Sequence, residues 1–270
     1  MLNLSFCRTA TFGVIIQLIS FAVTTPLWLF LHLLTSPVAQ SDASLSSLLI
    51  SPADLNVIPL NIALTFLFPS LLMGFPSPQQ TTPEFHQFFI ALWQPFPIFT
   101  TIFQYLFRPA INYRLAEEAE YRKDQGIKSE PESVAYLNSS KNVYLFALII
   151  CTATHVFSIY SLFLNNNFAQ VFIPFSISHP GQPVPNLIVG VINFLQLDVY
   201  IGLTAFLTWA TYLYLSARSA VKAAGTNWGL GVRVALWAVL AGPMGIVLVL
   251  LGARDEILIQ GREVEGKKDN

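Results

Sequence analysis

The chain has 270 residues, of which 54% are apolar and 11% charged, and its net charge is −1. Soluble domains carry about 25% charged residues, so this chain has too little charge to cover a water-exposed surface. That excludes a disordered chain and an ordinary soluble enzyme, and the absence of a basic face excludes a nucleic-acid partner.

About 20 mostly apolar residues in a helix cross a bilayer. Six stretches meet that length. The expected fold class is therefore all-α: a polytopic membrane protein, a bundle of about six transmembrane helices with seven possible. It is read as one integral membrane domain over residues 1–270. The first span is expected at about Thr9–Leu34. It carries Gln17 and His32 and lacks a small-residue cleavage site, so it reads as a retained signal-anchor. The connection Thr35–Leu55 holds Asp42 and Asp54 and suits a short interfacial helix. The second span is expected at about Asn56–Gly74 and the third at about Glu84–Phe107, joined by a Pro-rich turn. Arg108–Lys141 is the one strongly polar loop, with six basic and six acidic residues. The fourth span is expected at about Asn142–Leu164. The connection Asn165–Pro185 carries no Lys, Arg, Asp or Glu. The fifth span, about Asn186–Leu215, is long enough to tilt or project beyond the bilayer. The sixth is expected at about Trp228–Gly252, and the charged tail 253–270 is expected to fray. With six spans, one side of the membrane carries eight Lys and Arg and the other five, which places both termini in the lumen.

Inside the spans, charge is costly and calls for an explanation. Glu84, Asp198 and Arg233 are the residues concerned. Asp198 lies near the middle of the fifth span. It reads either as a functional acid or as a packing acid, paired with Arg233 or hydrogen-bonded to a neighbouring helix. Glu84 follows Thr82-Pro83, a plain helix start with a cap, a first-turn proline and an acid at the positive dipole end. Its other reading is an acid at the mouth of a cavity.

At about 100° per residue, Asn193, Gln196, Tyr200, Thr204 and Thr211 form one polar stripe. Asp198 lies on another side with Gly202, Ala205 and Trp209. A helix polar on two sides is expected to be surrounded by other helices. In the third span Gln87, Gln94, Thr101 and Tyr105 share a face, and Pro95 and Pro97 must kink the helix. Trp93 faces another way. Such stripes also arise from simple helix–helix hydrogen bonding. Ala241-Gly-Pro-Met-Gly245 reads as architecture: close contact and a kink.

Several chemistries lack their residues. No run of paired Asp exists to hold magnesium and a diphosphate, and there is no glycine-rich phosphate loop, HExxH, His cluster or nucleophile elbow. No metal and no cofactor are expected. What remains is proton transfer in an apolar, aromatic cavity.

Five segments, in order, carry a resemblance: Thr24-Thr-Pro-Leu-Trp-Leu-Phe-Leu-His-Leu-Leu-Thr-Ser36, Phe68-Pro-Ser-Leu-Leu-Met-Gly-Phe-Pro-Ser-Pro78, Leu92-Trp-Gln-Pro-Phe-Pro97, Phe194-Leu-Gln-Leu-Asp-Val-Tyr-Ile-Gly202, and Ala241-Gly-Pro243 followed by Arg254-Asp-Glu256. Together they resemble the small integral membrane terpene cyclases of fungal meroterpenoid and indole-diterpene clusters, in the branch of the macrophorin and ascofuranone cyclases. The chain departs from that pattern at Met244 and Gly252-Ala253.

The resemblance implies a metal-independent terpene cyclase, of isomerase or lyase type, in secondary-metabolite biosynthesis. Such an enzyme protonates a terminal alkene or epoxide of a farnesyl chain on an aromatic or phenolic core, and a carbocation cascade closes rings. The donor must be a carboxylic acid kept partly neutral by burial. Asp198 is the expected catalytic acid, with Glu84 as the other candidate. Trp93, Tyr105, Tyr200 and Trp209 are candidates to stabilise positive charge through their faces, and core packing is the competing use of each. Trp93, Gln94, Asn193, Gln196, Tyr200 and Trp209 are the expected substrate-binding set. The implied partners are a lipophilic prenylated substrate, membrane lipid, and a prenyltransferase and an epoxidase of the same pathway. The implied location is the endoplasmic reticulum. The competing readings are a non-catalytic membrane scaffold or carrier of intermediates and, less favoured because no internal repeat is present, a small secondary transporter.

Overall fold

The structure is a computed structural model that describes residues 4–40, 45–221 and 228–266. Arg8, Lys222, Arg262, Lys267 and Lys268, counted above for orientation, have side chains outside the described set. Every regular element among the described residues is helical. The chain divides into two compact units, 1–18 with 49–143 and 19–48 with 144–270.

In the first unit are α1 (Leu4–Leu18), α4 (Pro52–Ile62), α5 (Phe68–Met73), α6 (Pro83–Trp93), α7 (Phe96–Asp124) and the start of α8 (Glu132–Asn165). A five-residue π turn, Ala63–Leu67, joins α4 to α5. Pro69 has no N–H to give Thr65 and its ring would crowd that carbonyl, so a wider turn here relieves the clash. Helix α7 packs on α1 and α4, and α5 packs on α6.

The third expected span is not one helix. Pro95 and Pro97 end α6 at Trp93, and α7 restarts at Phe96. That second helix runs on to Asp124, so most of the expected polar loop Arg108–Lys141 is helical, in α7 and the first turns of α8. The first expected span is also divided, at Ile19-Ser20, between α1 and α2 (Phe21–Thr35). Ser20 caps α2, its hydroxyl accepting from the Val23 N–H at 3.2 Å. A cap of that kind satisfies one of the orphan donors of a new helix.

The second unit contains α2, the short α3 (Leu45–Leu48), most of α8, the short helices α9 (Phe168–Phe172) and α10 (Phe175–Ser178), α11 (Leu187–Ala220) and α12 (Trp228–Gly266). Helix α11 packs on both α2 and α12. Ala210 and Tyr214 of α11 meet Leu230, Val247, Leu250 and Ala253 of α12 in a buried core. Gly242 takes φ 66° inside α12 and Pro243 follows, which makes the expected kink. A Cβ at Gly242 would sit 2.9 Å from His155 Nδ1, so the glycine also allows close approach. The tail expected to fray from 253 is helical to Gly266. Ala253, Arg254, Asp255, Leu258 and Ile259 are buried, while residues 267–270 lie outside the described residues.

Four helices among the described residues are long and apolar enough to cross a membrane: Pro52–Met73, Glu132–Asn165, Leu187–Ala220 and Trp228–Ile259. Helix α2 is apolar but has 15 residues. Large side chains such as Phe163 and Leu187 are 75% and 82% exposed. Bare apolar surface of that kind on long helices belongs in lipid.

Candidate functional site

Helices α2 and α11 build a groove within the second unit. They run in the same direction, because Ala22 meets Asp198 and His32 meets Trp209 further along both. At the first end the Ala22 N–H donates to Asp198 Oδ1 at 2.7 Å. Asp198 thus helps cap the N-terminus of α2 through its side-chain oxygen. Its Oδ2 makes no hydrogen bond among the described residues. Arg233 is exposed and forms no ion pair with Asp198. Four residues on from Asp198, Gly202 lies under the Phe21 ring; a Cβ there would be 2.0 Å from Phe21 Cε1. At the other end Trp209 Nε1–H donates to His32 Nδ1 at 3.3 Å, with the rings edge to face.

Between these ends lies a recess of about 530 Å³. Pro26, Leu29 and Phe30 of α2 line it with Tyr200, Thr208 and Trp209 of α11. Its Thr204 and Thr208 hydroxyls donate to their own helix, to Tyr200 O at 2.7 Å and Thr204 O at 2.8 Å. The recess therefore presents an almost wholly apolar wall with aromatic faces. Asp198 is outside its wall, one turn before the wall residue Ile201.

The polar stripe of α11 has a partner that sequence spacing did not reveal. Asn193 Oδ1 accepts from Ser176 N–H at 2.9 Å and Ser176 Oγ–H at 3.0 Å. Gln196 Nε2 donates to Gln170 O at 2.8 Å and Val171 O at 2.7 Å, and Tyr200 Oη donates to Phe172 O at 2.6 Å. The stripe holds the uncharged α9–α10 segment against α11, rather than a long neighbouring helix. A second recess of about 370 Å³ lies under that segment, with Gln170, Ser178, His179, Asn193 and Gln196 among its walls.

The remaining expected site residues belong to the first unit. Glu84 is fully exposed at the start of α6, outside the four candidate spans, and Thr82 caps that helix from its side chain. Its own backbone N–H, and then the Thr82 hydroxyl, hold the Glu84 carboxyl below the usual carboxylate range. Trp93 Nε1 donates to Ser70 Oγ at 3.0 Å, and its ring packs with Phe66 and Phe96. Gln94 is the exposed C-cap residue of α6. The structure thus brings Tyr200 and Trp209 to one recess wall, Asn193 and Gln196 to another, and Asp198 to the end of the groove.

Two buried polar clusters escaped the sequence reading. In the first unit Asp54 is 2% exposed, with Arg108 Nε 3.0 Å from Oδ1 in an ion pair that lacks hydrogen-bond alignment. Gln104 Nε2 donates to Asp54 O at 2.8 Å, and Asn61 Nδ2 donates to Thr100 O at 2.7 Å and Gln104 Oε1 at 3.2 Å. The signal was the pairing of Asp54/Asn61, seven residues apart, with Gln104/Arg108, four apart; each pair occupies one helix face. In the second unit Arg254 Nη1 and Asp255 Oδ1 pair at 2.9 Å while Tyr144 Oη donates to Asp255 Oδ2 at 2.8 Å. Arg254 Nη2 also donates to Val38 O. Among the described residues no group of three or more His, Cys, Asp or Glu is placed to hold a metal ion.

The profile of the CtvD domain matches residues 3–259. The chain is 25% identical to the protein named terpene cyclase ascI of Acremonium egyptiacum over 268 residues, which cover 95% of this chain and 65% of that protein. It is 24% identical to terpene cyclase ctvD of Aspergillus terreus over 256 residues, 92% of this chain and 67% of the relative. Against terpene cyclase atmA of Aspergillus flavus the identity is 22% over 196 residues, 71% of this chain and 51% of the relative. The chain therefore spans between half and two thirds of the length of these proteins. No solved structure matches it. With nearly its whole length matched by one profile, the chain belongs to the CtvD domain family.

Proposed function

We propose that the protein is a multi-pass membrane terpene cyclase of the endoplasmic reticulum that closes rings on a prenylated aromatic or phenolic intermediate by protonation, without a metal ion. The observation that carries this reading is the apolar, aromatic-walled recess between α2 and α11, with a carboxyl group at the end of its groove. The names of the relatives support the reaction class.

In this reading Asp198 donates a proton from Oδ2 to the terminal alkene carbon, or to the epoxide oxygen, of a farnesyl chain lying along the groove. The alkene π electrons then form the new carbon–carbon bonds in sequence. Loss of a proton from the last cation to a base leaves an isomer of the substrate; capture of water leaves its hydrate. Asp198 Oδ1 stays bonded to the Ala22 N–H, which fixes the carboxyl at the groove end. The faces of Tyr200, Phe30 and Trp209 lie where positive charge would migrate, and each is worth roughly 0.5–2 kcal/mol to a desolvated cation. Trp93 and Gln94 belong to the other unit, where Trp93 is already bonded to Ser70, and this reading gives them no direct role. A prenyltransferase and an epoxidase are the reaction classes that would supply the substrate.

One observation favours a non-catalytic carrier: neither recess has an acidic residue in its wall. Microsomes containing the protein separate the two readings. Incubated with a farnesylated phenol or its terminal epoxide in excess EDTA, they are expected to give a cyclised isomer. Unchanged substrate would support the carrier, and turnover that returns only with magnesium would overturn the protonation mechanism.

A further inference from the structure

We propose, resting on the cyclase reading, that His32 is a positioning residue for ring closure. It holds the Trp209 indole at the end of the recess where the last carbocation arrives, and so sets how many rings close.

The direction of the cascade follows from where the proton enters. Asp198 stands at the Ala22 end of the groove and Trp209 at the His32 end. The eleven-residue step between them on α11 is about 16 Å at 1.5 Å per residue. A chain protonated by Asp198 lies with its terminal alkene or epoxide there and its head group toward Trp209. Each ring closure uses one C=C bond, makes one C–C bond and moves the positive charge further from Asp198. Tyr200, two residues on from Asp198, meets the charge early, and Trp209 meets it last. Loss of a proton to water at any stage balances the one gained, so the products are isomers of the substrate that differ in ring number.

Trp209 is the wall residue whose pose depends on another side chain. The hydroxyls of Tyr200, Thr204 and Thr208 donate to backbone carbonyls, which are present whatever the local side chain. Trp209 Nε1–H instead donates across to the His32 side chain of α2. The two rings meet at 78° with centroids 5.4 Å apart, and Phe206 meets the indole at 81° and 6.2 Å. Ring contacts of this kind are broad in angle, whereas a hydrogen bond weakens steeply off line. The bond to His32 therefore fixes the tilt of the indole. His32 is itself outside the recess wall, so it acts through Trp209.

The chemistry of the pair favours a cation. An indole N–H only donates, so His32 Nδ1 carries a lone pair and the proton of the neutral imidazole sits on Nε2. An acceptor at the indole N–H polarises that bond and leaves the ring more electron-rich. An electron-rich face is what a carbocation in an apolar recess requires.

The test uses the full chain in microsomes with a farnesylated phenol. It reads the ratio of incompletely to completely cyclised isomers, which does not depend on how much protein folds. His32→Phe and His32→Leu both remove the acceptor, one keeping a ring and the other needing less space. Each should raise the ratio roughly two- to thirtyfold, the factor that one cation–π contact supplies. His32→Asn, whose Oδ1 takes the place of Nδ1, should restore the wild-type ratio. Trp209→Phe should reproduce the shift, and His32→Phe added to it should change nothing more. In NMR of purified protein labelled with heavy nitrogen at tryptophan, the indole signal that Trp209→Phe deletes should move in His32→Phe. Wild-type protein that gives no cyclised product overturns the cyclase reading and this role with it. A wild type that cyclises, beside His32→Phe and His32→Leu variants with an unchanged ratio, refutes the role of His32 and leaves the cyclase reading standing.

Discussion

Asp198 does two jobs in the reading above, and one substitution separates them. Asp198→Asn keeps an oxygen that accepts from the Ala22 N–H, and Asn caps helices about as well as Asp. The fold therefore loses little, because the hydrogen bond to the Ala22 N–H is kept. What chemistry loses is the transferable proton. Removing a general acid costs about 10²–10⁴ in rate, or about 2.7–5.4 kcal/mol of barrier at 1.36 kcal/mol per decade. Asp198→Ala removes the acceptor as well and should cost about 1–2 kcal/mol in stability, with Ser20 still capping Val23. The assay is product formation from a farnesylated phenol in microsomes, normalised to the amount of folded protein in the membrane. The expected result is normal abundance of the Asn variant with turnover down at least a hundredfold. Near wild-type turnover by Asp198→Asn would show that the acid is only a cap and that the proton comes from elsewhere.

Three further outcomes follow from the packing. Gly202→Ala forces a methyl group into the Phe21 ring and should lower thermal stability in detergent by about 1–3 kcal/mol; Phe21→Ala in the same chain should recover part of it. Arg108→Met strands the buried Asp54 carboxylate and should cost about 2–3 kcal/mol, below the range for fully buried pairs because the Arg108 side chain is 39% exposed, while adding Asp54→Asn should restore stability on the same melting curve. Glu84 has a folded pKa below its unfolded one, so its support of α6 is present above the unfolded pKa and is lost as pH falls through the folded pKa. Glu84→Gln should therefore narrow the stability difference between neutral and acid solution and leave cyclisation intact; loss of turnover in that variant would reassign the proton donor.

The long helices were legible because an apolar run of membrane length needs no tertiary partner to declare itself. The Thr82-Pro83-Glu84 start and the Gly242-Pro243 kink were legible because their causes are local. The break at Ile19-Ser20 was not. The run from Thr9 to Leu34 is apolar enough to read as one span, and part of what stabilises a new helix start there is a carboxyl oxygen 176 residues away. The stripe of Asn193, Gln196 and Tyr200 shows the same division of labour. A 100° period says which face of α11 is polar, but not what satisfies it. Here the partner is a set of backbone groups at Gln170–Phe172 and the Ser176 backbone and hydroxyl, in a segment without charge. Backbone donors and acceptors are present at nearly every position and leave no mark in composition. Asp54 was misplaced for a related reason. An acid beside an apolar run reads as the end of that run, yet Asp54 sits in the first turn of α4 with its carboxylate buried against α7. Asn61, Gln104 and Arg108 each match an ordinary surface pattern alone, and only their meeting across two helices makes them a core. Residues whose partners are local can thus be assigned from the sequence, whereas a membrane helix's polar residues acquire a role only when the group that completes their hydrogen bonds is known. For Asp198 that group is the Ala22 N–H, which makes the acid part of the fold first and leaves only Oδ2 for chemistry.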